Sequence, residues 1–101
     1  MIILPEPLEF DWDKGNIDKN LKKHKVANQE SEQVFINESR FIFEDVLHSK
    51  LEKRYMIWGI TNEDRRLSVV FSIRRNKVRI ISARDMNKKE EVRYEKIQEN
   101  S

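Results

Sequence analysis

At 101 residues with no cysteine, the chain has room for one modest hydrophobic core and for neither a disulfide nor a thiol nucleophile. No run is apolar and long enough to span a membrane. The start, Met1-Ile2-Ile3-Leu4-Pro5, lacks the basic leader of a signal peptide, so a cytoplasmic protein is expected.

The net charge of +2 hides an asymmetry. Residues 1–50 hold seven Lys/Arg against ten Asp/Glu, and residues 51–101 hold thirteen against eight. The basic half is where a phosphate backbone would be met. A solvated charged surface is the plainer reading of the same composition.

In chain order, Pro5 and Pro7 predict an extended arm over residues 1–9, with Leu8-Glu9-Phe10 as a short edge strand. Asp13 reads as the N-cap of a helix running to His24. At 100° per residue, Trp12, Asn16, Asn20 and Lys23 fall on one stripe and Ile17 and Leu21 on the next. That pattern predicts the apolar stripe against the core and the Asn/Asn/Lys stripe facing solvent or a ligand. A second helix is expected from Asn28 to Phe35. Four strand-like runs follow: Arg40–Glu44, Arg54–Ile60, Leu67–Arg74 and Val78–Arg84. Asn62-Glu63-Asp64-Arg65 and Arg75-Asn76-Lys77 have the residues of hairpin turns. A last helix opens at Asn87, with Glu90 three residues on as a capping box. The whole reads as one α+β domain: two N-terminal helices, an antiparallel sheet of four strands or slightly more, and a C-terminal helix.

The fourth strand carries the functional hint. Arginine in an apolar run has no packing rationale unless something anionic meets it, and its planar fork suits phosphate. Strict alternation places Arg79 with Ile81 and Ala83, and Arg84 on the opposite face with Val78, Ile80 and Ser82. Twist or a bend before the last helix is the remaining way to bring the two arginines to one site.

Trp12-Asp13, Asn20, Lys23-His24-x-Val26, Val34-Phe35, His48-Ser49, Arg54 with Gly59, Arg79-Ile80-Ile81-Ser82-Ala83-Arg84, Glu90 and Tyr94 together resemble the BrnT family, toxins of bacterial type II toxin–antitoxin systems. The resemblance runs from Phe10 to Glu95. It implies a RelE-like fold, ribonuclease activity that inhibits translation, and neutralisation by a BrnA-type ribbon-helix-helix antitoxin in a heterotetramer that binds promoter DNA. The chain departs from the family pattern at four places. Asn16 stands where Lys is usual, Lys25 where Gly is, Asn28 where Phe is and Ser31 where Ala is.

Cleaving RNA through its own 2′-hydroxyl requires no metal. It requires cations on the crowded phosphate and groups to move protons. His24 is the natural titrating candidate, with a residue suited to a helix C-terminus as its equal competitor. Lys23, Arg54, Arg79 and Arg84 are candidate phosphate holders, Arg84 foremost, although Arg54 serves as readily as a strand-opening partner for Glu52. The resulting expectation is that Lys23, His24, Arg54, Arg79 and Arg84 converge on one catalytic pocket, with Trp12, Asn20 and Arg74 as RNA contacts. His48 reads as a plain loop residue. Trp58 and Tyr94 read as core. Two distant histidines without a carboxylate cluster make no metal-ligand set. With Gly15 and Gly59 alone there is no phosphate loop, and no nucleophile elbow is present, so no cofactor is expected. The alternative to an endoribonuclease is a non-catalytic module whose basic groove binds nucleic acid or an acidic antitoxin.

Overall fold

A computed structural model describes residues 3–100; Met1 and Ile2, the start of the expected arm, lie outside them. The elements are α1 (Lys19–His24), α2 (Asn28–Ile36), β1 (Phe41–Glu44), β2 (Tyr55–Ile60), β3 (Arg66–Arg74), β4 (Lys77–Asp85) and α3 (Lys88–Glu99). The strands form one sheet in the order β1-β2-β3-β4, each pair antiparallel. This is the expected α+β layout, and the strand boundaries fall within one residue of the sequence reading. Arg75 and Asn76 turn the β3–β4 hairpin with φ of 51° and 63°, the left-handed pair that a tight two-residue loop demands. Asn87 caps α3: its side chain accepts from the Glu90 N–H, and the Glu90 carboxylate accepts from the Asn87 N–H, both at 2.9 Å.

One face of the sheet meets α2. Val34 and Phe35 pack there on Ile57, Leu67, Val69 and Phe71, all fully buried. Gly59 allows this approach, because a Cβ there would sit 3.1 Å from Val34 Cβ. The opposite face is covered at one end by α3, which sets Tyr94 against Trp58, and by Met86 just before that helix. Both aromatics are core residues, as their sequence context indicated. The other end of that face is left open.

Two sequence expectations fail here. The first concerns the faces of β4. Val70 pairs with Ser82, but Phe71 pairs with Ile80, so Ile81 is an extra residue in the ladder. Such a bulge reverses the alternation on one side of it. Val78, Ile80 and Ala83 therefore all enter the core. Arg79, opposite Ser72, and Arg84, opposite Ser68, then share the other face instead of lying on opposite ones.

The second concerns α1. The helix is six residues long and begins after Asp18, whose left-handed φ of 62° interrupts any helix starting at Asp13. Its polar stripe faces inward. Asn16 and Asn20 are buried, whereas Ile17 and Leu21 are about half exposed. The reason is the free edge of β4, whose backbone groups need partners. The Asn16 amide donates to the Ile80 and Asp11 carbonyls at 3.0 and 2.9 Å. Asn20 Oδ1 accepts from the Ala83 N–H at 3.0 Å. Further along the same edge, Phe10 forms a parallel bridge with Val78. Two asparagines thus do what a fifth strand would do.

Lys25 and Ser31 each carry a stability cost. Lys25 closes α1 with φ 58°, a conformation that suits glycine. The Ser31 hydroxyl is buried with no hydrogen-bond partner. Lys25→Gly and Ser31→Ala are each expected to stabilise the fold by about 0.5–1 kcal/mol. Thermal melts of both variants check this, and a lowered midpoint in either one contradicts it.

Candidate functional site

The open end of the sheet lies toward the β3–β4 hairpin. Its floor is Met56, Val70 and Ser82, half-buried, with Phe43 more exposed beside them. Phe43 stands edge-on to Trp58 with ring centres 5.0 Å apart. Arginines gather at this end. Arg74 closes β3, Arg79 lies opposite Ser72, and Arg54 sits just before β2. Arg54 and Arg74 line a pocket of about 470 Å³ together with Leu47, His48, Lys50, Leu51 and Glu52.

Carboxylates are interleaved with these cations. Arg79 grips both Asp13 oxygens at 2.9 and 3.0 Å, and Asp11 lies 3.5 Å away. The Arg79 bonds hold the Asp13 carboxyl below its usual range and raise the pKa of the Arg79 guanidinium in turn. Gly15 lets the guanidinium lie flat on this turn, since a Cβ there would approach Arg79 Nη2 to 3.0 Å. Asp13 is therefore a partner for Arg79 rather than a helix cap. Arg74 pairs with Glu52 at 2.7 and 3.2 Å and thereby lowers the Glu52 carboxyl. Arg54 makes no side-chain ion pair among the described residues, which leaves its fork available.

The remaining predicted residues lie elsewhere. Arg84 shares the face but sits four β3 positions from Arg79, roughly 13 Å at strand rise. It is bound to Glu90 at 2.7 and 3.0 Å. Glu90 also accepts from Ser68, and Ser68 from Trp58, so Arg84 fastens α3 to the sheet. Lys23 is exposed at the end of α1. His24 lies near the Arg65–Asp85 pair, and its carbonyl accepts from Arg65. Asp85 faces Leu67, and Arg74 ends the same strand, so Lys23 and His24 are roughly 20 Å from the hairpin pocket. Of the five residues expected to converge, Arg54 lines the pocket with Arg74, and Arg79 lies close to Arg74 without lining it. Lys23, His24 and Arg84 do not join them.

Of the expected RNA contacts, only Arg74 stands at the pocket. Trp12 is half-buried and donates to Glu32 at 2.7 Å. Asn20 gives its Oδ1 to the edge of β4, and its Nδ2 is buried with no hydrogen-bond partner. Two pocket residues, Glu52 and His48, carried no catalytic signal in the sequence. His48 is held by Asp45, three residues earlier, at 2.9 Å. That spacing, and the place of His48-Ser49 in the family resemblance, were the available clues. Among the described residues no group of three or more His, Asp or Glu is placed to hold a metal ion, and no helix is long and apolar enough to cross a membrane.

A family model described as "Ribonuclease toxin, BrnT, of type II toxin-antitoxin system" matches residues 12–90. No curated protein matches the chain.

Proposed function

Because this chain belongs to the BrnT family, the ribonuclease toxins of type II toxin–antitoxin systems, we propose that it is a metal-independent endoribonuclease that halts translation by cutting RNA at the hairpin end of its open sheet face. The observation that supports this reading is the meeting of Arg54 and Arg74 in one pocket, with Arg79 close to Arg74. Guanidinium groups gathered before the substrate arrives, those of Arg74 and Arg79 held by carboxylates, stabilise the charge that builds on phosphorus as the 2′-oxygen attacks. Met56, Val70 and the exposed Phe43 offer apolar surface on which a neighbouring base can stack.

Carboxylates on two of the three arginines neutralise most of the local positive charge and leave Arg54 unpaired among the described residues. RNA phosphate must displace Asp13 from Arg79 and Glu52 from Arg74, or bind first at Arg54. The family implies an antitoxin partner. The proposed antitoxin is a BrnA-type ribbon-helix-helix dimer, forming a heterotetramer with two copies of a single-domain toxin in the cytoplasm.

Incubation of the purified chain with RNA in excess EDTA tests the mechanism. Cleavage is expected to persist and to leave 2′,3′-cyclic phosphate ends. Cleavage that appears only on adding a divalent metal overturns the mechanism. RNA binding with no cleavage under any condition favours a non-catalytic binding module.

A further inference from the structure

We propose that His48, held by Asp45, is the general acid of this site, donating from Nε2 to the leaving 5′-oxygen. The inference rests on the placement of the site proposed above and names the proton donor which that site requires. Arginine holds its protons too tightly to be a useful donor, and Lys50, which also lines the pocket, carries an ammonium that is a weaker acid than an imidazolium. Both side chains serve better to stabilise a pentacoordinate phosphorus than to protonate the departing 5′-oxygen. Glu52 is held in its ionised form by Arg74 and has no proton to give. Histidine is the residue type that exchanges a proton near neutrality, and His48 lines the pocket with Arg54 and Arg74.

The loop is built to hold it there. Asp45 and His48 bracket a 3₁₀ turn, Val46–His48. A carboxylate can only accept, so the contacts of 2.9 and 3.1 Å from His48 Nδ1 to Asp45 place a proton on Nδ1. Nε2 is then the atom that can exchange a proton with a ligand. The same turn is tied to Arg54. The Asp45 N–H donates to the Arg54 carbonyl at 2.8 Å. Ser49 Oγ accepts from the Arg54 N–H at 3.0 Å and donates to the Asp45 carbonyl at 2.6 Å. A phosphate holder and a proton donor are therefore fixed in one short segment. The Asp45 side chain is 13% exposed and that of His48 is 65% exposed, so the anchor is sheltered and the working end is open.

The reaction balances with water as the other participant. The 2′-hydroxyl gives its proton to solvent, and its oxygen bonds to phosphorus. The bond from phosphorus to the 5′-oxygen breaks, and that oxygen takes the Nε2 proton of the imidazolium. The ring is then reprotonated by solvent. The products are a 2′,3′-cyclic phosphate and a free 5′-hydroxyl.

The test uses the full chain and two RNA oligonucleotides cut by the wild type, one natural and one with sulfur in place of the scissile 5′-oxygen. A thiolate leaves without a proton. His48→Gln is expected to cut the natural RNA at least about 100-fold more slowly than wild type and the sulfur-substituted RNA at close to the wild-type rate. Asp45→Asn, acting through His48, should show a smaller loss with the same rescue. His48→Gln cutting natural RNA within about threefold of wild type overturns the inference, as does a loss that sulfur does not rescue. The rescue pattern on His24→Gln with His48→Gln unaffected overturns it as well. Full activity in both Arg54→Ala and Arg74→Ala would instead overturn the placement of the site.

Discussion

Arg54→Ala should lower RNA cleavage by about 100–1,000-fold and barely move the melting temperature, whereas Arg84→Ala should do the reverse. Removing one donor to a developing oxyanion costs that much in rate. The Arg54 side chain makes no ion pair among the described residues, and its structural work is done by its backbone, which bonds Asp45 and Ser49. Alanine keeps that backbone. Arg84, by contrast, makes two bonds to a Glu90 side chain that is 12% exposed. Its loss strands a largely buried carboxylate, at about 2–3 kcal/mol. For a chain of this size that is a drop of roughly 10–20 °C in the melting midpoint. Single-turnover cleavage rates and thermal melts of both variants decide the matter. Wild-type cleavage by Arg54→Ala, or inactive Arg84→Ala with an unchanged melt, would place the catalytic cation at the other end of the face.

The contrast between these two arginines shows where local sequence stops being informative. Alternation in Leu67–Arg74, turn residues at Arg75-Asn76 and the Asn87/Glu90 box each act within a few residues, and each was legible. The bulge at Ile81 was not. Nothing in Ile80-Ile81-Ser82 marks an extra residue; it is detectable only in the pairing with Val70 and Phe71. The inward turn of Asn16 and Asn20 was equally hidden, because it answers backbone groups more than sixty residues away on the edge of β4. Asp13 looked like a cap because helix caps are local, and its actual partner, Arg79, is sixty-six residues on. The cationic character of the site was readable from composition. Which cations meet depends on register, and register is a property of the assembled sheet.

Acid should unfold this protein mainly through one carboxylate, and Glu90→Gln should remove most of that sensitivity. Four acidic groups are held below their usual range: Asp13 by Arg79, Glu52 by Arg74, Asp85 by Arg65, and Glu90. For Glu90, burial pushes the carboxyl up, but the Arg84 bonds and the Asn87 N–H outweigh it and the net shift is downward. A carboxyl whose folded pKa lies below its unfolded one adds stability at neutral pH. That stability is intact above the unfolded value and disappears as pH falls through the folded one. The window therefore opens at about pH 4 to 4.5 and extends downward. The side chains of Asp13 and Asp85 are more than half exposed, so solvent and salt screen their pairs. Glu52 is a third exposed. Glu90, the most enclosed of the four, also caps α3, so its protonation loosens a helix along with an ion pair. Urea unfolding across pH 3 to 7 should show wild-type stability level at the upper end and falling below about pH 4.5. Glu90→Gln should start about 2–3 kcal/mol lower at pH 7 and decline with a shallower slope. If Glu90→Gln keeps the wild-type acid slope, the sensitivity resides in the exposed pairs, and Arg84–Glu90 is not the contact that holds α3 to the sheet.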